Sequence, residues 1–450
     1  MSFSKYPAYK DSGVEWLGEV PAHWAVVPFK RCATIFNGKD HKNVETEDGD
    51  IPVIGSGGEF SRASNYLYDG ESILLGRKGT IDKPLYVEGK FWTVDTMFYS
   101  VVSPPSNGRF LYYSALKIPF SMYSTNTALP SMTQESLSGH LMAIPPPDEQ
   151  ATVAAFLDHE TGKIDALIEE QRRLIELLKE KRQAVISHAV TKGLDPNVPM
   201  KDSGVEWLGE VPAHWGVVSL SRVLSGIDQG WSPTAEAFPA SAGDWGVLKL
   251  SAIRTGQFVE KNNKKLPDDV IPDSDIEIHA GDLLVTRANT PELVGDACVV
   301  RDEPEARLIF SDLVYRLRVS GAMSSRFLCY VLLSDVGRAQ LQADARGSSM
   351  SMAKISHGHI KSCLIPLPPV EEQNRISSRI DQELAAISTL TSAGEQSIGL
   401  LTERRSALIS AAVTGKIDVR GWSAGVEVGE PELAMVAEES AGYSAQGGGQ

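Results

Sequence analysis

Arginine, asparagine, serine, threonine and lysine side chains beside glycines are the residues here most suited to chemistry, and that chemistry is hydrogen bonding. A guanidinium pairs with a guanine edge, an amide with adenine, and a hydroxyl with either. Lysine, arginine and backbone N–H groups hold phosphates. In the first half, GSGGEFSRASNY at 55–66, GRKGT at 76–80 and STNTALPSM at 124–132 carry Ser56, Arg62, Asn65, Arg77, Lys78 and Asn126. In the second half, DQGWSPT at 228–234, LSAIRTGQF at 250–258, TRANTPELVG at 286–295 and RGSSMSMAKIS at 346–356 carry Ser232, Ser251, Arg254, Arg287, Asn289, Thr290 and Ser349. Any one of them is equally well read as a solvated loop side chain. The set carries the expectation, led by Arg77 with Lys78 and Arg287 with Asn289, because each pair follows an apolar run that reads as a strand.

Catalytic constellations are weaker. VIGSGGEF at 53–60 has the outline of a strand entering a glycine-rich cofactor loop, but it continues into SRASNY and not into an amphipathic helix. SPPS at 103–106 has the outline of an amino-methyltransferase motif, which needs an aromatic after the prolines to stack on a flipped base; Ser106 stands there. There is no GxxxxGK phosphate loop followed by Ser or Thr, so an ATP-driven motor is excluded. Cys32, Cys298, Cys329 and Cys363 lack metal-ligand spacing and read as reduced, buried thiols. His140 and His359, each expected just before a helix start, read as loop or packing residues. The sequence predicts no catalysis, no metal site and no cofactor bound by this chain.

The elements that must position those loops announce themselves by repetition. KDSGVEWLGEVPAHW at 10–24 returns letter for letter at 201–215. Gly13, Gly18 and Pro21 rule out a long helix, so the segment is expected to be an extended strap pinned by Trp16 and Trp24. Between the straps lies a strand-like middle, with runs at Ile51–Ile54, Ser72–Leu75, Leu85–Val87 and Met97–Val102. The second middle has runs at Val247–Leu250, Asp282–Thr286, Ala297–Val300 and Val314–Val319, in a different sequence. Each middle ends in prolines, IPPPDEQ at 144–150 and IPLPPVEEQ at 365–373. Acids there favour a helix start through the macrodipole. Apolar residues at 153, 156, 157, 164, 167, 168, 174, 175, 178 and 185 then form a helical stripe with partial heptad spacing, which Gly193 closes. Residues 148–195 align with 371–418 without a gap at 18 identities, Asp158 matching Asp381 among them. Gly394 and Gly399 lie inside the second helix and are expected to kink or interrupt it.

Charge sets a constraint. The net charge is −15, which argues against phosphate contacts, but the distribution is uneven. Residues 423–450 hold five glutamates and no base and read as a disordered acidic tail. Residues 25–142 carry 11 bases against 12 acids, and residues 216–363 carry 16 against 18, so each middle is near neutral. No apolar run reaches the roughly 20 residues of a membrane span, and MSFSKYPAYKDSG has no signal-peptide core. A cytoplasmic protein is expected.

Two related apolar stripes can bury each other. Packed antiparallel, they make a one-chain pseudo-dimer with two different globules at the ends of a helical spacer, a geometry that suits a duplex with two half-sites. A scaffold joining two protein-binding modules is the other reading of that layout.

The sequence resembles the specificity subunit of type I restriction–modification systems. The signs are YKDSGVEWLGEVPAHW, GLDPNVPMKDSGVEWLGEVPAHW at 193–215, the PPPDEQ and PPVEEQ helix starts, GRKGT, GDLLVTRANT at 281–290 and SDLVYRLRV at 311–319, a likeness spanning about 5–422. The resemblance implies a mixed α/β (α+β) chain, a pseudo-two-fold tandem repeat of two target recognition domains separated by two long antiparallel coiled-coil-like helices. Its parts would be a strap at 1–24, a first recognition domain at 25–142, a helical spacer at 143–195, a repeated strap at 196–215, a second recognition domain at 216–363, a second spacer at 364–422 and the tail at 423–450. It implies double-stranded DNA, two copies of a modification (methyltransferase) subunit and restriction subunits as partners. AdoMet, ATP and Mg would belong to those partners. Each recognition domain would read one half of a bipartite, asymmetric site and so direct N6-adenine methylation or cleavage.

Overall fold

In a computed structural model, residues 4–124, 130–343, 346–349 and 352–423 are described. Asn126 and the tail from residue 424 lie outside them. The chain divides into two units, one of residues 1–169 with 398–450 and the other of residues 170–397. Each unit therefore takes its own portion of two long helices, Pro147–Lys192 and Val370–Val413.

In the first unit the strap is a hairpin, Tyr9–Asp11 against Glu19–Pro21, with Gly13 and Gly18 in the left-handed region (φ 71° and 65°) where a side chain would be strained. Ala25–Pro28 pairs with Leu141–Ile144, tying the start of the first middle to its end. Between them is a four-stranded sheet in the order Ala33–Asn37, Met97–Val102, Ser72–Gly76, Leu85–Val87. A second sheet has the order Gly58–Ala63, Ile51–Gly55, Lys90–Thr93, Tyr68–Asp69, with the two inner strands parallel. The polar segment 55–66, expected as a loop, is thus partly strand: Gly58–Ala63 pairs along Ile51–Gly55, and that backbone pairing outweighs a glycine-rich, polar composition.

The second unit repeats this plan. Met200–Asp202 and Glu210–Pro212 form the strap, and Gly216–Ser219 pairs with Leu364–Leu367. The sheet order is Leu224–Gln229, Val314–Val319, Leu283–Thr286, Ala297–Val299. Trp245–Leu248 again runs parallel to Arg307–Ile309. Two middles with different sequences share the main-sheet order and the parallel pair, because burial fixes the pattern of apolar positions and not their identity. Ser72–Gly76 and Leu283–Thr286 are buried at every residue, as the inner strands of such sheets must be.

Each core includes the helices. In the first unit Val153, Phe156 and Leu157 pack with Phe29, Ile73, Phe110, Ile409 and Val413. In the second, Ile186 and Val190 pack with Trp215, Phe327, Ile376 and Ile380. Of the predicted stripe, Leu167 and Leu174 stand out of the packed face, 46% and 42% exposed. The expected break in the second helix is absent: Val370–Val413 is continuous. Gly394 explains itself by close approach, since a Cβ there would lie 3.3 Å from Ile175 Cγ1. Packing of this kind offsets the roughly 1 kcal/mol that a glycine costs in a helix.

Candidate nucleic-acid interface

The clamps that hold each strap and each middle to its helix come from the proline-rich helix starts. Glu149 Oε1 accepts from Tyr6 Oη at 2.6 Å and Trp24 Nε1 at 3.0 Å, and its other oxygen lies 2.8 Å from His23 Nε2. Burial, then Glu149 itself, push the Tyr6 hydroxyl pKa well up, so it stays a donor. Gln150 Oε1 accepts from Asn107 N at 2.9 Å while its Nε2 donates to Pro145 O at 2.9 Å. The second copy matches at Gln373, which accepts from Ser324 N at 2.8 Å and donates to Pro368 O at 2.9 Å. Glu372 keeps only part of its clamp, His214 Nε2 at 2.8 Å, and the buried Trp215 Nε1 has no partner among the described residues.

About two and a half turns beyond Glu149, Asp158 accepts from Tyr113 Oη at 2.7 Å and Arg109 Nε at 3.2 Å. Its counterpart Asp381 holds Arg301, Arg326 and Tyr330. These carboxylates were visible only as a matched pair in the sequence. They are positioning residues, and the Glu-Gln signature was the signal that could have revealed the others.

The loops so positioned converge at one end of each main sheet. Leaving strand Ser72–Gly76, Arg77 donates its amide to Thr96 O at 2.9 Å and its Nη1 to Asp95 O at 3.3 Å, with the guanidinium 5.9 Å from the Phe98 ring centre. Leaving strand Leu283–Thr286, Arg287 donates its amide to Leu313 O at 2.8 Å and its Nη1 to Asp312 O at 3.2 Å, 5.7 Å from the Tyr315 ring centre. The register makes these the same positions: Gly76 lies opposite Met97 and Thr286 opposite Val314. The carbonyls of Arg77 and Arg287 accept from Met132 N and Ile355 N, at 3.0 and 2.9 Å. One residue later Thr133 and Ser356 cap short helices, Gln134–Ser138 and His357–Ser362.

Around this point the structure brings some predicted residues together. Lys78 is exposed and bridges to Ser131 through the backbone. Ser232 Oγ donates to the Asp312 carboxylate and accepts from Asp312 N at 3.1 Å, so Ser232 and Arg287 share Asp312. Asn289 Oδ1 accepts from Thr290 N at 2.9 Å. Strand Arg346–Ser349, which ends in Ser349, pairs with Met352–Lys354, and that strand pairs with Ala288–Asn289.

Glycine makes the approach possible. A Cβ on Gly38 would lie 2.0 Å from Val94 O, and one on Gly230 would lie 2.0 Å from Phe310 O. Each glycine ends the strand that lines the same sheet edge.

Other predicted residues sit apart. Arg62 is on the outer strand of the second sheet, ion-paired with Glu59 at 2.8 Å and donating to Asp50 O at 3.3 Å. Asn65 Oδ1 accepts from Tyr66 N at 2.8 Å, and Ser56 lies in the turn before that strand. Among the described residues no hydrogen bond joins these three to Arg77 or Lys78. Ser251 and Arg254 belong to a separate turn and hairpin, held where Asp296 accepts from Thr255 N at 2.9 Å.

The rest of the chemistry is quiet. Burial pushes the Cys298 thiol well up and the Cys329 thiol to about 12, far from nucleophilic thiolates. His140 precedes a strand, not a helix. It is buried, stacks 4.8 Å from Trp16 and lies 2.9 Å from Tyr123 Oη, and burial lowers its pKa to about 4. Among the described residues no metal-holding cluster occurs, and no helix is long and apolar enough to cross a membrane.

Comparison with known proteins meets this geometry. Residues 21–177 match the type I restriction modification DNA specificity domain. The EcoEI specificity subunit of Escherichia coli is 30% identical over 210 residues, 46% of this chain; the match spans only 35% of that subunit. The EcoKI specificity subunit of E. coli K12 is 22% identical over 96% of this chain and 98% of its own length. The MjaVIII specificity subunit of Methanocaldococcus jannaschii is 24% identical over 79% of each. A chain from a structure concerned with complex assembly and conformational transition of the type I R-M system shares the fold, with a TM-score of 0.64 at 16% identity over 88% of this chain and 98% of that one. The chain is similar in sequence to specificity subunits of type I restriction–modification systems, and its first part matches their DNA specificity domain.

Proposed function

We propose that this chain chooses the DNA sequence on which a type I restriction–modification complex acts, and does no chemistry itself. Each recognition domain takes one half of a bipartite, asymmetric site. The two long helices pack antiparallel in coiled-coil fashion, set the number of unread base pairs and help dock two modification subunits. The complex then methylates adenine at N6, or cleaves when restriction subunits join, with AdoMet, ATP and Mg serving those partners in the cytoplasm.

The observation that carries this reading is the matched loop clusters: one main-sheet order built twice, with an arginine at the same strand end and different side chains around it. Different loops on a common frame are what two different half-sites require. The test is to express the chain with its modification subunit in a host lacking adenine methylation and to map N6-methyladenine by single-molecule sequencing. One bipartite motif with a fixed gap is expected. An active, intact complex that yields no motif would refute the reading and favour a scaffold without DNA contact.

A further inference from the structure

We infer that Arg77 and Arg287 are a matched pair of phosphate anchors, one for each half-site, that hold the duplex without reading it. The inference rests on the proposed function and assigns these two arginines a role within it.

The two arginines occupy one structural position in domains whose sequences differ. Each donates its amide to the residue before the long central strand, its Nη1 to the preceding aspartate's carbonyl, and lies over the ring at that strand's second residue. Domains that read different half-sites must differ where bases are read. What both keep answers to what both half-sites share, and that is the sugar–phosphate backbone.

Electrostatics favours the same assignment. In the second domain Arg307 is paired with Glu277, and Arg316 and Arg318 with Asp228. Among the described residues neither Arg77 nor Arg287 has a carboxylate partner. Carbonyls and rings fix their direction but leave the positive charge uncompensated, which an anion from outside would satisfy. For Arg287 the two-pronged pairing that reads guanine is hampered, since Nη1 is engaged and Nε is buried without an acceptor among the described residues.

The neighbours show the converse. Lys78 and Gly79 hold in the first domain the positions that Ala288 and Asn289 hold in the second, and Lys39 and Asp40 those of Trp231 and Ser232, by the same strand registers. Base reading falls to such divergent positions.

The test uses the assembled complex of this chain with its modification subunit, as wild type, R77A, R287A, R77K and R287K. Affinity is measured between 50 and 200 mM salt for a duplex carrying the methylated motif and for a scrambled one. Each alanine form is expected to lower the slope of log affinity against log salt by about 0.9, so that its deficit shrinks about 3.5-fold across that range. The deficit should be equal on both duplexes, and the mapped motif should be unchanged. The lysine forms keep the charge and should keep the slope.

A methylphosphonate scan of the duplex locates the contacts: one neutralised phosphate in each half-site should erase the difference between wild type and one alanine form. If an alanine form does not assemble, the scan on the wild-type complex decides, because a half-site without any phosphate whose neutralisation lowers the slope overturns the proposal. An unchanged slope with a motif that becomes degenerate at one base pair also overturns it, by making the arginine a base reader. A wild-type complex with no sequence preference is a different result, and it removes the proposed function itself.

Discussion

Replacing Glu149 by alanine should destabilise the first unit several-fold more than Glu372→Ala destabilises the second, although the two glutamates occupy matched positions. Glu149 is 7% exposed and is the acceptor for Tyr6 and Trp24, themselves 4% and 0% exposed. Its loss leaves two buried donors unsatisfied, at about 1–3 kcal/mol each, or about 2–6 kcal/mol in all. His23 is 40% exposed and adds no more than about 1 kcal/mol. Among the described residues Glu372 serves only His214, which is 47% exposed, and Trp215 Nε1 already lacks a partner. Its loss creates no new buried donor and should cost about 0–1 kcal/mol. Glu149→Gln keeps one acceptor oxygen and should fall between. Native-state hydrogen exchange is the assay, since it reports each unit separately. The straps are identical in sequence, so exchange is followed in strands Leu141–Ile144 and Leu364–Leu367, which differ. Equal losses in the two units, or a larger loss from Glu372→Ala, would refute the claim that the clamp is complete in one copy and partial in the other.

Three further outcomes follow from the same geometry. Inserting one helical turn into Pro147–Lys192 should lengthen the unread gap in the DNA motif and leave both half-sites unchanged, as mapped by N6-methyladenine sequencing; altered half-sites would remove the helices' spacer role. His140 is held neutral by burial with a pKa of about 4, below its unfolded value near 6.5, so the unfolded chain binds the extra proton first. The first unit's stability should therefore be full above pH 6.5 and fall by at most about 1.4 kcal/mol per pH unit as pH drops toward 4, a slope that His140→Phe should flatten in denaturant titrations. Gly230→Ala drives a Cβ against Phe310 O, and rigid backbone cannot yield cheaply. It should abolish recognition of one half-site and leave the other, whereas an unaltered motif would show that the strand end can shift.

Much of the organisation is local and was readable from the chain alone. An exact 15-residue echo needs no structure to find, and helix periodicity with proline starts located both long helices. Arg77 and Arg287 could be singled out as basic residues following strands. Their equivalence could not, because it depends on which carbonyl each guanidinium reaches 18 and 25 residues away, and on a register set by sheet pairing. The polar run 55–66 has the composition of a loop, yet strand Gly58–Ala63 forms by backbone pairing with Ile51–Gly55, which its own side chains do not announce.

The same holds for the clamps. Tyr9 Oη reaches Gly415 O across 406 positions, joining the first strap to the end of the second long helix, and a Cβ on Gly415 would lie 2.3 Å from Pro21. The sequence by itself determined the doubled plan, the helix limits and the pool of polar loop residues, since each is written in local spacing. The tertiary structure alone decided which glutamate has buried donors to satisfy and which arginines share a place, because side chain-to-backbone contacts between distant segments leave no periodic trace along the chain.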